Sequence, residues 1–336
     1  MSRMRNSKIS GMGFYVPDNV VTNQDLSEMM ETNDEWIKER TGIQERRWVV
    51  PGTDTTSGMG VKAARKALKN ANVEAKNVDF IVFATLSPDY YFPGPGVQVQ
   101  EALEMDTIGA LDVRNQCSGF VYALSVADQF IKTGMYNTIL VIGSELHSGG
   151  LDKTTRGRGV SVIFGDGAGA AILTASPDDS GILSTHLHSQ GEHAKELSLI
   201  GPATNRWVDQ IIKDADKDDL SYFPYMNGNF VFKHAVTRFP QVIMEALEKN
   251  GYTPADIDLL VPHQANLRIS QFIQRSMKLR DDQVFNNIMK FGNTTAASIP
   301  IALSEAIDEG KVKKGDLICL AAFGSGFTWA SALIRW

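Results

Sequence analysis

The chain contains the stretch Ala67-Leu-Lys-Asn-Ala-Asn-Val-Glu-Ala-Lys-Asn-Val-Asp79, then Phe80-Ile-Val-Phe83, and repeats it closely as Ala246-Leu-Glu-Lys-Asn-Gly-Tyr-Thr-Pro-Ala-Asp-Ile-Asp258, then Leu259-Leu-Val-Pro262. Position 79 of the first copy corresponds to position 258 of the second, and this difference defines the offset between the copies. The same offset places Ala123-Leu-Ser-Val-Ala127 on Ala302-Leu-Ser-Glu-Ala306, and Ile139-Leu-Val-Ile-Gly143 on Ile318-Cys-Leu-Ala-Ala322. Three matches at one offset indicate a duplicated unit, and a period this long is not that of a solenoid.

Each copy of the unit reads as a helix, a short apolar strand, a second helix and a second strand. The apolar runs at 79–85, 137–143, 258–262 and 317–322 lack the alternation of a half-solvated sheet. They predict an α/β protein whose strands are buried on both faces between helices. The turn cluster Ala175-Ser-Pro-Asp-Asp-Ser-Gly181 marks the junction, so we predict two halves, residues 1–178 and 179–336.

Composition restricts the class of protein. No apolar run approaches the ~20 residues that span a bilayer, and the N-terminus does not resemble a secretory signal, so we expect a cytoplasmic protein. Two cysteines, at 117 and 319, form neither a disulfide framework nor a zinc spacing. A net charge of −6 gives no global reason to bind nucleic acid.

Cys117 stands just before a predicted helix. Gln116 and Ser118-Gly119 are poor helix-interior residues, whereas the residues after them recur at helical spacing: Phe120, Val121, Leu124 and Ala127. The N–H groups and dipole at a helix N-terminus favour a thiolate, which predicts a nucleophile. A buried, inert cysteine is the alternative that this pattern leaves open.

The repeat predicts what Cys117 faces. Its counterpart in the second copy is position 296, which lies shortly after Asn293. Equivalent helix starts in a pseudo-twofold protein should approach each other near the symmetry axis. One half would then bring a thiol to that place and the other a carboxamide.

Several further motifs resemble one known family. They are Asn33-Asp-Glu-Trp-Ile-Lys-Glu-Arg-Thr-Gly-Ile43, Phe164-Gly-Asp-Gly-Ala-Gly-Ala170, Val261-Pro-His-Gln-Ala-Asn-Leu-Arg-Ile269, Gly292-Asn-Thr-Thr-Ala-Ala-Ser-Ile-Pro300 and Phe323-Gly-Ser-Gly-Phe-Thr-Trp329. From about residue 8 to Trp336 the chain resembles the β-ketoacyl-[acyl-carrier-protein] synthase III family of condensing enzymes. The resemblance implies the thiolase fold, with duplicated α-β-α-β-α layered halves and buried mixed sheets. It also implies a catalytic triad of Cys117, His263 and Asn293.

The resemblance implies an acyltransferase that initiates fatty acid synthesis. An acyl-coenzyme A primer would load Cys117, and malonyl-acyl carrier protein would then lose carbon dioxide and extend it to a β-ketoacyl product. His263 and Asn293 would donate hydrogen bonds to the enolate oxygen, while the backbone N–H groups of Cys117 and Ser325 would form a second oxyanion site. No metal or redox cofactor is implied. A specialised pathway that condenses or transfers an unusual acyl group is the alternative.

Substrate and partner contacts follow from the same resemblance. Trp36, Arg40 and Arg158 would hold the adenine nucleotide end of coenzyme A, and Asn229 would lie along its pantetheine arm. Phe323 would line the acyl pocket, and Phe92 would cross a homodimer interface to wall the partner's. A basic face that would dock acyl carrier protein consists of Lys233, Arg268, Arg275 and Lys278; a solvated helix face is its alternative.

Two rival functions and two departures remain. A papain-type protease also combines these residue types, and His263 and Asn293 follow Cys117 in the order and at separations close to those of that family. Its Cys-Gly-Ser-Cys-Trp signature is absent, however, and its fold is not a duplication. A non-catalytic carrier-binding protein on the same fold is the second rival.

The run Arg114-Asn-Gln116 and the residue Ser325 depart from the usual family pattern, which leaves the identity of the acyl primer open. We expect the histidines at 186, 188 and 193 to form a polar surface loop and not a metal site.

Overall fold

The computed structural model describes residues 6–201, 203 and 219–336. Its strands are β1 (Ser7–Tyr15), β2 (Val20–Thr22), β3 (Glu45–Arg47), β4 (Phe80–Ala84), β5 (Gly109–Val113), β6 (Thr138–Glu145), β7 (Gly167–Ala175), β8 (Gly181–Ser189), β9 (Leu197–Ser198), β10 (Tyr225–Met226), β11 (Leu259–Pro262), β12 (Leu317–Gly324) and β13 (Thr328–Arg335).

Its α-helices are α1 (Asn23–Met29), α2 (Asp34–Thr41), α3 (Thr56–Ala71), α4 (Pro95–Ala102), α5 (Gly119–Lys132), α6 (Arg158–Ser161), α7 (Gly228–Lys249), α8 (Leu267–Ser276), α9 (Ile288–Phe291) and α10 (Ser298–Asp308). Within the described ranges, none of these helices combines the length and the apolar content that crossing a bilayer requires.

The strands form two mixed sheets. The first has the order β1-β7-β6-β4-β5 and the second the order β11-β12-β13-β8. Parallel pairing joins β6 to β4, β4 to β5, and β11 to β12, while the remaining neighbours are antiparallel. The first sheet ends at Ala175 and the second begins at Gly181, on either side of the turn cluster.

The predicted duplication is present in the structure at the predicted offset. The offset that carries position 79 onto position 258 also carries both ends of β6 onto both ends of β12. It carries the first residue of α5 onto that of α10, and the first residue of β4 onto that of β11. The α/β fold with buried mixed sheets is confirmed, because the central strands are buried along nearly their whole length and pack against helices on both faces.

Five layers result from packing helices on each side of both sheets. The largest apolar cluster joins α5 and α10 to the inner faces of the two sheets. A second cluster packs α3 and α4 on the outside of the first sheet, and a third packs α7 and α8 on the outside of the second. The two middle helices therefore run between the halves, where their N-termini can share one site.

The starts of these two helices are alike in backbone conformation. A short 3₁₀ turn, Gln116–Ser118, precedes α5, and its counterpart, Thr295–Ala297, precedes α10. Gln116 and Thr295 occupy equivalent positions, and both have a positive φ, 43° and 49°. The two starts touch, because a Cβ added at Gly119 would lie 3.5 Å from the Cβ of Ala296.

Candidate active site

One cavity brings the predicted catalytic residues together. Its volume is about 320 Å³, and its lining includes Cys117, His263 and Asn293, all three buried. Arg40 and Arg268, which are exposed, also line it. The cavity therefore runs from a charged mouth to a floor that is closed to bulk solvent.

Cys117 lies in the turn that leads into α5, as the sequence predicts. Its sulfur lies near the backbone N–H of Ser325, its own N–H and the hydroxyl of Thr295, and each of the three lowers the pKa of the thiol. Gly324 packs directly against it, since a Cβ at that position would lie 2.8 Å from Sγ. The first two donors are the pair that the sequence predicts for a second oxyanion site.

Burial opposes the thiolate that the sequence predicts for Cys117. Burial raises the pKa of Cys117 to about 12, and the nearby Glu145 carboxyl adds to the rise. The three hydrogen-bond donors lower the pKa but do not compensate, because the sulfur sits too deep for water to solvate a charge. Cys117 is therefore a neutral thiol in the resting protein, and it must lose its proton as it attacks.

His263 follows β11, and it presents one nitrogen to the cavity. Its Nδ1 lies 2.6 Å from the hydroxyl of Ser298, which also accepts from the N–H of Gln264. The Ser298 proton is then directed to Nδ1, so Nε2 carries the imidazole proton. Nε2 is buried and has no hydrogen-bond partner in the described residues, as expected for a donor that awaits a substrate oxygen.

The carboxamide of Asn293 is oriented by its own turn. Its Oδ1 accepts the N–H of Thr295 at 2.8 Å, which leaves Nδ2 as the donor that the side chain can offer. The backbone of Asn293 pairs with Ile163 and Gly165, through bonds of 2.9 and 3.1 Å. Two N–H donors and one thiol thus face the same cavity, an arrangement that can stabilise an oxyanion beside an acyl-sulfur bond.

Burial also determines the charge of two histidines. It lowers the pKa of His263 to about 3, with a further contribution from His147, and burial alone lowers the pKa of His147 to about 3. Both rings are neutral in the folded state at neutral pH. Since an unfolded histidine titrates near ~6.5, both stabilise the fold above that pH and lose this contribution as the pH falls below it.

We therefore predict that replacing one of these rings flattens the acid side of the stability curve. From about pH 6.5 to 5.5, the free energy of unfolding should fall by about 1.0 kcal/mol more in the wild type than in His147→Phe. Urea denaturation at both pH values measures this. Burial raises the pKa of Glu145 to about 7, which has the opposite effect on the pH dependence of stability. Because Glu145 is present in both proteins, its effect cancels when the variant is compared with the wild type. Parallel pH curves would contradict the prediction.

The residues predicted to hold coenzyme A cluster at the mouth. Trp36, Arg40 and Asn229 line the cavity, and Arg158 does not. The guanidinium carbons of Arg40 and Arg158 nevertheless lie 4.7 and 5.6 Å from the centre of the Trp36 ring. The ring and the two cations form one surface that suits an aromatic base with phosphates.

The two predicted acyl-pocket residues are placed differently. Phe323 is buried and lines the cavity beside Cys117. Phe92 is 80% exposed and does not line the cavity of its own chain. It stands in the loop between β4 and α4 with Tyr90 and Tyr91, which are also exposed.

The predicted docking residues are all exposed and basic, and one of them, Arg268, lines the cavity mouth. Arg268 and Arg275 lie on α8, Lys278 follows that helix, and Lys233 lies on α7. Phe272, between the two arginines, is 39% exposed. Nearby Arg280 is neutralised by Asp282 at 3.0 Å, so it adds little to this face.

Two of the three clustered histidines lie on a strand and not in a loop, which corrects the sequence-based expectation for them, while His193 lies in the short turn after that strand. His186 and His188 lie on β8, and both contact Glu245 of α7, at 3.3 and 2.6 Å. A polar edge strand is hard to distinguish from a loop in a sequence, because both are rich in hydrophilic residues. The described residues contain no group of three or more ligands arranged to hold a metal ion.

Three buried polar residues near Cys117 escaped the sequence analysis. Glu145 ends β6, His147 follows it, and Thr295 precedes α10. The Glu145 carboxylate accepts hydrogen bonds from Thr85, Leu86, Ser87 and Ala296. Residue spacing gave no signal for them, although the repeat does pair Thr295 with the residue before Cys117.

Comparison with known proteins bears on the whole chain. Residues 111–191 match the family model described as 3-oxoacyl-[acyl-carrier-protein (ACP)] synthase III, and residues 247–336 match that of its C-terminal part. The β-ketoacyl-[acyl-carrier-protein] synthase III of Rhodospirillum centenum is 48% identical, over 98% of this chain and 99% of that protein. The corresponding synthase III 1 of Vibrio vulnificus is 45% identical, over 98% and 99%.

Solved structures agree with these sequence matches. The 3-oxoacyl-[acyl-carrier-protein] synthase III of Aquifex aeolicus superposes with a TM-score of 0.90 at 42% identity, over 98% of this chain and 100% of that one. The priming β-ketosynthase of the R1128 polyketide pathway gives a TM-score of 0.89 at 31% identity, over 100% and 98%. This chain therefore belongs to the β-ketoacyl-[acyl-carrier-protein] synthase III family of thiolase-fold condensing enzymes, which are acyltransferases.

Proposed function

We propose that this chain condenses an acyl-coenzyme A primer with malonyl-acyl carrier protein, through an acyl-Cys117 intermediate, to give the β-ketoacyl product that initiates fatty acid synthesis. The observation that carries the proposal is the closed cavity floor, where one thiol meets the Nε2–H of His263 and the amide of Asn293. A papain-type protease does not share the duplicated five-layer fold.

Acyl loading is the first half of the reaction. The Cys117 sulfur forms a bond to the acyl carbon, the carbon–sulfur bond to coenzyme A breaks, and the thiol proton leaves with the coenzyme A thiol. The N–H groups of Cys117 and Ser325 lie near the sulfur, and therefore near the carbonyl oxygen that becomes negative.

Condensation is the second half. Malonyl-acyl carrier protein loses carbon dioxide, and the resulting enolate attacks the acyl carbon, which releases Cys117. The developing charge sits on the thioester oxygen, where His263 and Asn293 can each donate a hydrogen bond. Because both groups are neutral donors in a closed site, they stabilise this charge without a metal or redox group.

A panel of acyl-coenzyme A primers tests the function. Purified protein should show a mass increase on the peptide that contains Cys117 with short acyl primers, and should then form β-ketoacyl-carrier protein when malonyl-carrier protein is added. Loading by no primer would overturn the proposal. Loading by an unusual acyl group alone would favour the specialised pathway, which the likeness to a polyketide priming synthase keeps in view.

The adenine of coenzyme A would bind against Trp36, next to Arg40 and Arg158. Its pantetheine arm would lie along Asn229. The contacts of both guanidinium groups with the indole ring support this placement. The cavity extends from the Trp36 ring to the thiol, and its apolar lining includes Val231, Phe232 and Phe239 of α7.

The exposed basic face would dock the acidic carrier protein. We predict that the double charge reversal Arg275→Glu with Lys278→Glu raises KM for malonyl-carrier protein about tenfold, since rim charges act mainly on encounter. The rate with a malonyl-pantetheine fragment should not change, because neither residue lines the cavity.

The matched control is Lys311→Glu. This exposed lysine follows the far end of α10, whose other end carries the site. If that control and the docking variant raised KM equally, the effect would reflect net charge and not a docking face.

We also infer a homodimer built on the edge of the first sheet. Strand β5 is the edge strand, and Leu111 on it is 38% exposed. The loop with the exposed Tyr90, Tyr91 and Phe92 lies beside it, because the N–H of Gly96 donates to Asp112 at 3.0 Å. An unpaired strand with exposed aromatic residues next to it favours pairing with a second copy.

We expect Leu111→Asp combined with Phe92→Asp to give a monomer, as measured by sedimentation velocity. Met135→Asp is the matched control, since Met135 is 63% exposed and lies in the turn between α5 and β6, away from this edge. A variant that sediments like the wild type would contradict the interface. With two free, buried cysteines, a reducing cytoplasmic location fits this assembly.

A further inference from the structure

A buried polar chain reaches the sulfur of Cys117 from behind. The hydroxyl of Thr295 donates to Cys117 Sγ, and its oxygen lies 2.8 Å from Nε2 of His147. All three residues are buried. An imidazole, a hydroxyl and a thiol are thus connected in series, and neither His147 nor Thr295 lines the cavity.

The direction of the hydrogen bonds follows from counting protons. A hydroxyl carries one proton, and when negative charge develops on the sulfur that proton points at Cys117, so the oxygen of Thr295 then accepts from His147. The imidazole of His147 therefore carries its proton on Nε2. Burial keeps this ring neutral by lowering its pKa to about 3, so it holds a single proton to donate.

Both ends of the chain are held in place. The backbone N–H of His147 donates to the carboxyl of Asp166 at 2.6 Å, and its ring packs on Phe164 with centres 4.6 Å apart. The backbone N–H of Thr295 donates to the Asn293 carboxamide. Thr295 thereby connects the thiol with one of the two proposed enolate donors.

The charges around Cys117 offer its sulfur no cation, so the hydrogen bonds from His147 through Thr295 matter for its reactivity. Glu145 at the end of β6 raises the thiol's pKa, while His147 and His263, from the turns after β6 and β11, are neutral and add no cation. Asp166 lies behind His147 and is occupied by backbone N–H groups. Hydrogen bonds therefore add to the effect of the helix N-terminus in stabilising the attacking sulfur, and Thr295 is its one side-chain donor among the described residues.

We propose that His147 is a positioning residue for Cys117, which keeps the Thr295 hydroxyl proton directed at the sulfur during attack. In this step the bond from sulfur to the electrophile forms and the bond to the leaving group breaks. The thiol proton goes to the leaving group or to water, and Thr295 and His147 keep theirs. The inference rests on the proposed function only for the identity of the electrophile, because the hydrogen bonds act on any reagent that Cys117 attacks.

Iodoacetamide is the probe, and it does not depend on the substrate. Thr295→Val keeps the β-branched shape and removes the hydroxyl, so alkylation of Cys117 near pH 8 should slow about tenfold, equivalent to a rise of about one unit in the thiol's pKa. Thr295→Ser should restore the rate. His147→Phe keeps the contact with Phe164, releases the hydroxyl and should slow alkylation about threefold.

Peptide mass spectrometry across pH separates this role from a structural one. If Thr295 and His147 position the proton, their variants should shift the pH dependence of the Cys117 alkylation rate along the pH axis. Cys319, which is buried and outside the cavity, should stay unlabelled. Thr185→Val, which removes a 2.7 Å hydroxyl contact with Ser125 on α5, is the matched control and should leave that pH dependence unchanged.

Three outcomes would overturn the inference: equal rates for Thr295→Val and the wild type, a Thr295→Ser variant as slow as the valine, or labelling of Cys319 that rises with that of Cys117. Acyl loading is measured in parallel. If no acyl primer loads the wild type while the alkylation shifts persist, the inference stands and the proposed function fails. If primers load and the shifts are absent, the reverse holds.

Discussion

Cys117→Ala is expected to abolish acyl loading, so that no primer leaves a mass increase on the protein and condensation falls below detection. The reason is chemical, because loading forms a bond to the sulfur and alanine offers none. His263 and Asn293 remain in place, however, and they act on the malonyl thioester. We therefore expect malonyl-carrier protein still to lose carbon dioxide, uncoupled from condensation.

Cys319→Ala is the matched control for this variant. Cys319 is the other buried thiol, on β12, and does not line the cavity. It should load and condense as the wild type does. A Cys117→Ala protein that still carried a labelled acyl group would show that another residue is the nucleophile, and a wild type that never loads would favour a carrier-binding protein without catalytic activity.

His263→Ala and Asn293→Ala are expected to load the primer but to condense it about 10²–10³-fold more slowly, since one oxyanion donor contributes about 3–4 kcal/mol to the barrier. Loading should stay within about tenfold of the wild type, because the donors at the sulfur are backbone N–H groups and Thr295. Single-turnover measurements of each half-reaction separate the two effects.

Asn293→Asp refines the second prediction. It keeps an oxygen that can accept the N–H of Thr295 and removes the amide donor, so it should condense as poorly as the alanine variant. His186→Ala, on β8 outside the cavity, is the control for loss of a histidine. Equal loss of loading and condensation in the His263 and Asn293 variants would contradict the division of roles.

The fold could be predicted because its signals are local and repeated. Apolar runs of strand length appear twice at one offset, and helical periodicity follows Cys117 directly. The family resemblance predicted which residues share the site, and the structure places Cys117, His263 and Asn293 on one cavity. Their catalytic roles stay predictions until the variants above are measured.

What could not be predicted depends on depth and on contacts between distant residues. A helix N-terminus favours a thiolate, but the desolvation that outweighs it is set by how far Cys117 lies below the surface. The bond between His147 and Thr295 joins positions far apart in the chain, one in each half. Neither residue belongs to a recognisable motif, so only the packing of the two halves reveals their contact.

The equivalent turns at Gln116 and Thr295 have a consequence for how such a site can change. In an assembly of two identical subunits, any substitution appears in both copies, so a nucleophile and its helpers cannot be assigned to separate sides. Covalent fusion of the two halves removes that constraint. A division of labour then becomes possible, in which one half keeps the sulfur and the other supplies the neighbours that tune it.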